Sequence, residues 1–230
     1  MGVRTVSLLA ALVVALVGCS DGDVVRRDGL PGNRMVSSDA ADRREAWLNV
    51  VSGADAIVIR AVHLDGRLFR AWTPDGSRVA PLATVDRDVV RLGLHGDGPA
   101  ELHVDVSSEV LWHLRLDGGA TVQTLELAEG KLGSLDFGAG SARIEAVLPR
   151  PSGVTLVRMT GGASTFDVHL PAGVPARVLL AGGAGQASID GAVRSGIAGG
   201  TELSTQDQSS ADRYDLNLVA GVSAFRLERT

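Results

Sequence analysis

From residue 46 onward, apolar and polar residues alternate in short runs, the period of two that puts successive side chains on opposite faces of a β-strand. The runs come in pairs around glycine. With Gly53, Gly119, Gly140, Gly162, Gly183 and Gly221 as anchors, the residues five and three before each are Leu48 and Val50, Leu114 and Leu116, Leu135 and Phe137, Val157 and Met159, Val178 and Leu180, and Leu216 and Leu218, all apolar. Small residues follow nearly every anchor: Ala54, Ala120, Ser141, Ala163, Ala184 and Val222. Four further on stand Ile57, Gln123, Ile144, Phe166, Ala187 and Phe225, and six further on Ile59, Leu125, Ala146, Val168, Ile189 and Leu227. Each unit therefore predicts two short strands joined by a tight corner, where glycine allows backbones to pass closely.

Anchors from Gly119 to Gly183 are spaced 21, 22 and 21 residues apart, and the interval from Gly53 to Gly119 is 66, three such periods. A constant period of short strands without helical periodicity predicts an all-β, glycine-cornered β-solenoid with rungs of about 21 residues. A β-sandwich or hairpin meander is the alternative. Stacking the rungs lines up Arg115, Asp136, Arg158 and Leu179 as an outward ladder of alternating charge. Pro149, Pro171 and Pro175 fall between strand pairs, where no ladder hydrogen bond is needed. Residues 192 to 213 read as a loop inserted before a terminal strand pair that caps the stack.

The N-terminus has a different pattern. Arg4 precedes an unbroken apolar stretch from Leu8 to Val17, followed by the chain's single cysteine, Cys19. An apolar core of about a dozen residues would cover, as a helix, about 18 Å of a hydrocarbon layer about 30 Å thick, too little for a permanent span. The run Leu16, Val17, Gly18, Cys19 resembles the lipobox of bacterial lipoproteins. The resemblance implies cleavage of a signal peptide, residues 1–18, and lipidation of Cys19 by diacylglyceryl and fatty acyl groups such as palmitate. Two buried acyl chains hold stably where one holds marginally. Residues 19–45, rich in Gly, Pro, Asp, Ser and Arg, read as a flexible tether, and 46–230 as the β-solenoid domain.

The run Leu114 to Leu127, the turns around Gly162 and Gly183, Ser195 to Thr201 and the ending Arg213 to Arg229 resemble the putative-adhesin or toast-rack proteins of bacterial envelopes, particularly actinobacterial lipoproteins. Coverage is roughly residues 46 to 230. The resemblance implies a β-solenoid-like envelope module with no established catalytic site.

Composition agrees with an aliphatic β core: 45% apolar, only 3% aromatic, and 29 glycines in 230 residues. The net charge of −5 supplies no basic field for nucleic acid. Lys131 is the only lysine, an arginine bias typical of GC-rich bacterial genomes. One cysteine excludes an intramolecular disulfide.

Candidate chemistry is sparse. Gly182, Gly183, Ala184 and Gly185 begin a calcium-binding nonapeptide, but Ala187 occupies its Asp position. Glu145 and Asp167 fall on adjacent rungs, the arrangement of a carboxylate-pair hydrolase or a cation site, with Arg143 beside them. The histidines His63, His95, His103, His113 and His169 do not repeat at a metal spacing, and His103 with Asp105 shares one strand face. No G-x-S-x-G elbow and no complete G-x-G-x-x-G occurs. Trp112 alternates with Val110 and Leu114 as a core residue, and Trp47 and Trp72 read as core plugs before a carbohydrate-stacking face.

The sequence therefore predicts a non-enzymatic envelope lipoprotein without cofactor, metal or catalytic residues. It is held at the extracytoplasmic face of the cell membrane through Cys19 and presents a rigid surface to wall, glycan or envelope protein. The alternatives are a hydrolase using Glu145 and Asp167, or a regulatory partner of a membrane sensor. Replacing Cys19→Ala is expected to leave the chain unprocessed or release it into the medium, and mass spectrometry of the mature N-terminus checks this: an unmodified start at another residue overturns the lipid anchor.

Overall fold

A computed structural model of the chain describes residues 25–27, 34–205 and 210–230. The signal peptide, Cys19 and residues 206–209 lie outside the described residues. In chain order the strands are β1 (Arg26–Arg27), β2 (Met35–Asp39), β3 (Glu45–Val50), β4 (Ala54–Val62), β5 (Arg67–Trp72), β6 (Ala80–Asp86), β7 (Val89–His95), β8 (Glu101–Ser107), β9 (Leu111–Leu116) and β10 (Ala120–Glu126). There follow β11 (Lys131–Phe137), β12 (Ser141–Val147), β13 (Val154–Met159), β14 (Ala163–Leu170), β15 (Ala176–Leu180), β16 (Ala184–Ile189), β17 (Ala192–Ile197), β18 (Thr201–Ser204), β19 (Arg213–Leu218) and β20 (Val222–Arg229). No helix occurs among the described residues.

Two mixed sheets face each other across an aliphatic core. The first runs β6-β7-β3-β9-β11-β13-β19-β15-β18 and the second β1-β2-β5-β8-β4-β10-β12-β14-β20-β16-β17. Each consecutive pair from β3/β4 to β19/β20 that turns at a corner contributes one parallel strand to each sheet, which makes the rungs of a β-solenoid. The predicted register is observed: Leu48, Leu114, Leu135, Val157, Leu216 and Val178 are successive partners in the first sheet. Ile57, Gln123, Ile144, Phe166, Phe225 and Ala187 are successive partners in the second. Phe137, Phe166 and Phe225 meet edge to face inside, with centroids 5.4 and 5.8 Å apart.

Three expectations are corrected. First, residues 192 to 204 are not a loop but β17 and β18, which pair antiparallel with β16 and β15 and end the stack. The terminal pair β19/β20 is threaded between β13/β14 and β15/β16 and caps nothing. The other end is threaded in the same way with the chain running backwards: β5 and β6 form the antiparallel end layer, and β7/β8 return between it and β3/β4.

Second, the interval from Gly53 to Gly119 holds one parallel rung and one antiparallel end layer, not three equivalent rungs. Its rung carries no recognisable anchor because its corner is longer. From Leu92 to Leu102 the chain takes ten steps, whereas from Val50 to Ile57, their partners, it takes seven. Gly96 and Gly98, with φ of 117° and 123°, make that wider turn.

Third, Met35–Asp39, placed in the tether by composition, is β2, paired with β5, with Val36, Ser37 and Ser38 buried. An unpaired edge at the end of a sheet accepts an extra strand, so structure begins before residue 46.

The corners explain the glycines, though the anchor is not the most crowded position. The residue before each anchor reads, in spatial order along the stack, Ser52, Gly118, Ala139, Gly161, Ala220, Gly182. A Cβ on Gly118 would lie 2.0 Å from the Ser52 carbonyl oxygen, on Gly161 2.1 Å from the Ala139 carbonyl carbon, and on Gly182 2.4 Å from that of Ala220. Rungs with a side chain at this position alternate with rungs lacking one, and each glycine lies against its neighbour's backbone. In chain order Gly161 and Gly182 are consecutive; threading β19/β20 between them restores the alternation.

Tyr214 and Gln123 are polar groups set among the inner apolar rows. Tyr214, fully buried, donates its hydroxyl to the Pro149 carbonyl at 2.9 Å, and burial pushes its phenol well above the ordinary value. Gln123 stands in the inner row between Ile57 and Ile144; its Nε2 donates to Ser141 Oγ at 2.7 Å, but its Oε1 is buried without a partner. An unsatisfied buried carbonyl costs about 1–3 kcal/mol.

Gly161→Ala is expected to lower the unfolding free energy by about 2 kcal/mol or more, as overpacking against a backbone does. Gly140→Ala, whose Cβ would lie 3.4 Å from the Gly162 oxygen, is expected to cost less than about 1 kcal/mol. Gln123→Ile is expected to raise stability by about 1 kcal/mol. Chemical denaturation of the three variants checks all of these together.

Candidate functional site

The inner faces make the core, and the charged side chains, with Trp47 and Trp72, lie on the outer rows. On the second sheet the predicted Glu145 and Asp167 are indeed neighbours on adjacent rungs. They are not an open acid pair. Arg143 lies 3.2 Å from Glu145 and 3.5 Å from Asp167, and Arg226 lies 3.4 Å from Asp167. Arg143 thus bridges the two carboxylates, while Arg226 spans Asp167 and Glu228, the latter at 3.5 Å. Among the described residues no group of three His, Cys, Asp or Glu side chains is arranged to hold a metal.

His103 and Asp105 do share an outer face, and the structure gives them partners that sequence spacing does not reveal. Asp105 is fully buried, and each of its oxygens takes one arginine. Arg60 donates Nε to Oδ1 at 3.0 Å, and Arg70 donates Nε to Oδ2 at 2.7 Å. The outer Nη2 atoms of both arginines lie against the same oxygens. Two guanidinium groups thus flank one buried carboxylate, and Glu101 beside His103 adds a second carboxylate to the same face. Both guanidinium groups lie over Trp72, 5.8 and 5.5 Å from the ring centroid. Trp72 also stacks on His103, its direct cross-strand partner, at 5.1 Å and 11°, and His103 Nε2 lies 2.8 Å from Glu101.

The first sheet repeats the arrangement. Trp47 stacks on its cross-strand partner His113 at 4.8 Å and 11°, and His113 Nε2 lies 2.8 Å from Glu45 Oε1. Of the three tryptophans, only Trp112 is in the core, its Nε1 donating to the Ser107 carbonyl at 2.9 Å. Trp47 is 39% exposed and Trp72 half-buried, so neither is a core plug. Each ring has one face taken up by a histidine from the next strand. The charged ladder also forms: Asp136 is the partner of both Arg115 and Arg158. A hydrogen bond and charge from Asp117, with a smaller contribution from Asp136, hold Arg115 above its ordinary value.

One of these groups was within reach of the sequence. Trp47 and His113 stand six residues before the anchors Gly53 and Gly119, and the same register places them side by side. Trp72 and Arg70 belong to the antiparallel end layer, which has no anchor.

No family model matches the chain, and no curated protein matches it. Solved structures do. A crystal structure of a "putative adhesin" from Bacteroides fragilis is 10% identical and covers 86% of this chain and 100% of its own, but its TM-score of 0.27 gives it no bearing on the fold. A "putative cell adhesion protein" from Clostridium sporogenes is 14% identical over 85% of this chain and 98% of its own; its TM-score of 0.65 shows that the two share this all-β architecture.

Proposed function

We propose that the chain is a lipid-anchored adhesion module of the cell envelope, tethered through Cys19 on the extracytoplasmic side and binding a wall glycan or envelope protein through an outer sheet face. The observation that carries this reading is the shared architecture, over nearly the whole length of the Clostridium sporogenes protein, with a chain named for cell adhesion. Solenoids suit such a role, because stacked rungs give a rigid, extended surface that loses little conformational freedom on binding.

The face best equipped is that of Trp72, His103, Arg60 and Arg70. It joins a half-exposed indole to two arginines, and aromatic and arginine side chains dominate binding energy at interfaces. Burial of Asp105 fixes the two arginines, so their outward edges are preorganised. The carboxylate pair lends no support to a hydrolase using Glu145 and Asp167, since Arg143 and Arg226 already occupy it.

The test is cosedimentation of the purified mature chain with cell-wall material. Wild type is expected to sediment with the wall. A double variant, Arg70→Gln with Trp72→Ala, in which Asp105 keeps Arg60, is expected to reduce the bound fraction at least fivefold. Absence of wild-type binding, or equal binding by the double variant, overturns the assignment.

A further inference from the structure

The two tryptophan–histidine stacks differ in one respect. His113 has a hydroxyl at its second nitrogen: Ser134 Oγ lies 2.8 Å from His113 Nδ1, while Glu45 Oε1 lies 2.8 Å from Nε2. A carboxylate can only accept, so Nε2 carries the proton of the neutral ring, and Nδ1 accepts from the Ser134 hydroxyl. This is the hydrogen-bond order of an acid, a base and a serine nucleophile, with the roles of the two ring nitrogens exchanged relative to the serine protease triad. The three residues come from adjacent strands β3, β9 and β11, with Glu45 68 and Ser134 21 positions away from His113.

The imidazole is clamped. Trp47 covers one face at 4.8 Å, and Gly133 lies so close that a Cβ there would be 2.4 Å from His113 Cε1. Gly133 is the extra residue of a β-bulge, since the register passes from Leu132–Trp112 directly to Ser134–His113. The bulge lets Leu132 and Leu135 both point into the core and turns Ser134 to the outer face, where it is half-exposed. On the far side of Ser134 its ladder partner Leu156 and the neighbouring Val154 are 46% and 49% exposed, an apolar platform with no counterpart at His103.

We propose that Ser134 is an activated nucleophile for acyl transfer from esters with apolar acyl groups. Its Oγ bonds to the ester carbonyl carbon while its proton passes to His113 Nδ1. The bond to the alcohol oxygen breaks, and that oxygen takes the proton from Nδ1. Water then bonds to the acyl carbon and gives one proton to His113 Nδ1; the bond from that carbon to Ser134 Oγ breaks, Oγ takes the proton from Nδ1, and the carboxylic acid leaves. Val154 and Leu156 hold the acyl chain, and Glu45 is a positioning residue that fixes the ring and its tautomer. The activity lies on the sheet opposite the Trp72 face and does not depend on the adhesion reading.

The experiment is labelling of the full mature chain with a fluorophosphonate probe, followed by peptide mass spectrometry. A single adduct on Ser134 is expected, absent in Ser134→Ala, with the labelling rate at least tenfold lower in His113→Gln and unchanged in His95→Gln. Glu45→Gln is expected to slow labelling without moving the thermal unfolding midpoint. An unlabelled Ser134, or His113→Gln labelled as fast as wild type, overturns the proposal. Should His113→Gln fail to fold, long-range proton–nitrogen NMR of the wild-type chain decides instead: protonation of neutral His113 at Nε2 supports the proposal, and at Nδ1 overturns it.

Discussion

The architecture depends on how closely neighbouring backbones approach at the corners. Strands in a sheet keep their spacing through hydrogen bonds, but at a corner the chain must turn from one sheet to the other within two or three residues while the next rung does the same alongside it. There is no room for two side chains. The stack resolves this by alternation, with Ser52, Ala139 and Ala220 keeping a Cβ while Gly118, Gly161 and Gly182 give theirs up. Register follows from the same contact. A rung displaced by one residue would bring a Cβ against a carbonyl and would also turn its apolar row outward.

Once the corners fix the register, the outer faces become ladders whose chemistry is set by which rungs are neighbours. Arginines stand beside the carboxylates of the outer rows. Asp136 stands between Arg115 and Arg158, and Asp167 lies between Arg143 and Arg226. Exposed pairs of this kind contribute little to stability, about 0–1 kcal/mol each. Asp105 differs because it is buried, and stripping either arginine from a buried carboxylate costs much more than breaking a surface pair. That burial makes the Arg60 and Arg70 positions rigid and gives the Trp72 face its fixed charge. On the other sheet the device is a bulge: one extra residue at Gly133 rotates Ser134 toward His113. The proposed adhesion face and the proposed serine site thus lie on opposite outer faces of one scaffold.

Much of this was readable from residue patterns, and the reason is physical. Period-two alternation and a constant repeat leave few ways to bury so many aliphatic rows, so the rungs, their inner rows and the partnership of Glu145 with Asp167 follow from spacing alone. Trp47, His113 and Ser134 also occupy one repeat position, and only a comparison of outward rows was needed to bring them together. The Trp72 cluster lay beyond such a comparison, because Arg60 and Arg70 reach Asp105 from a parallel strand on one side and an antiparallel one on the other.

The sequence by itself determined the secondary structure class, the corner-to-corner period and which residues face the core, since these depend on local alternation and on glycine's missing side chain. Tertiary structure alone decided the order in which rungs stack. Both ends fold back so that β7/β8 and β19/β20 enter slots already bounded by other rungs, and nothing local distinguishes a rung that extends a stack from one that is inserted into it. That ordering sets the glycine alternation at the corners, the burial of Asp105 and the side-by-side placement of the two antiparallel end layers with their parallel neighbours, because each requires contacts between segments far apart in the chain.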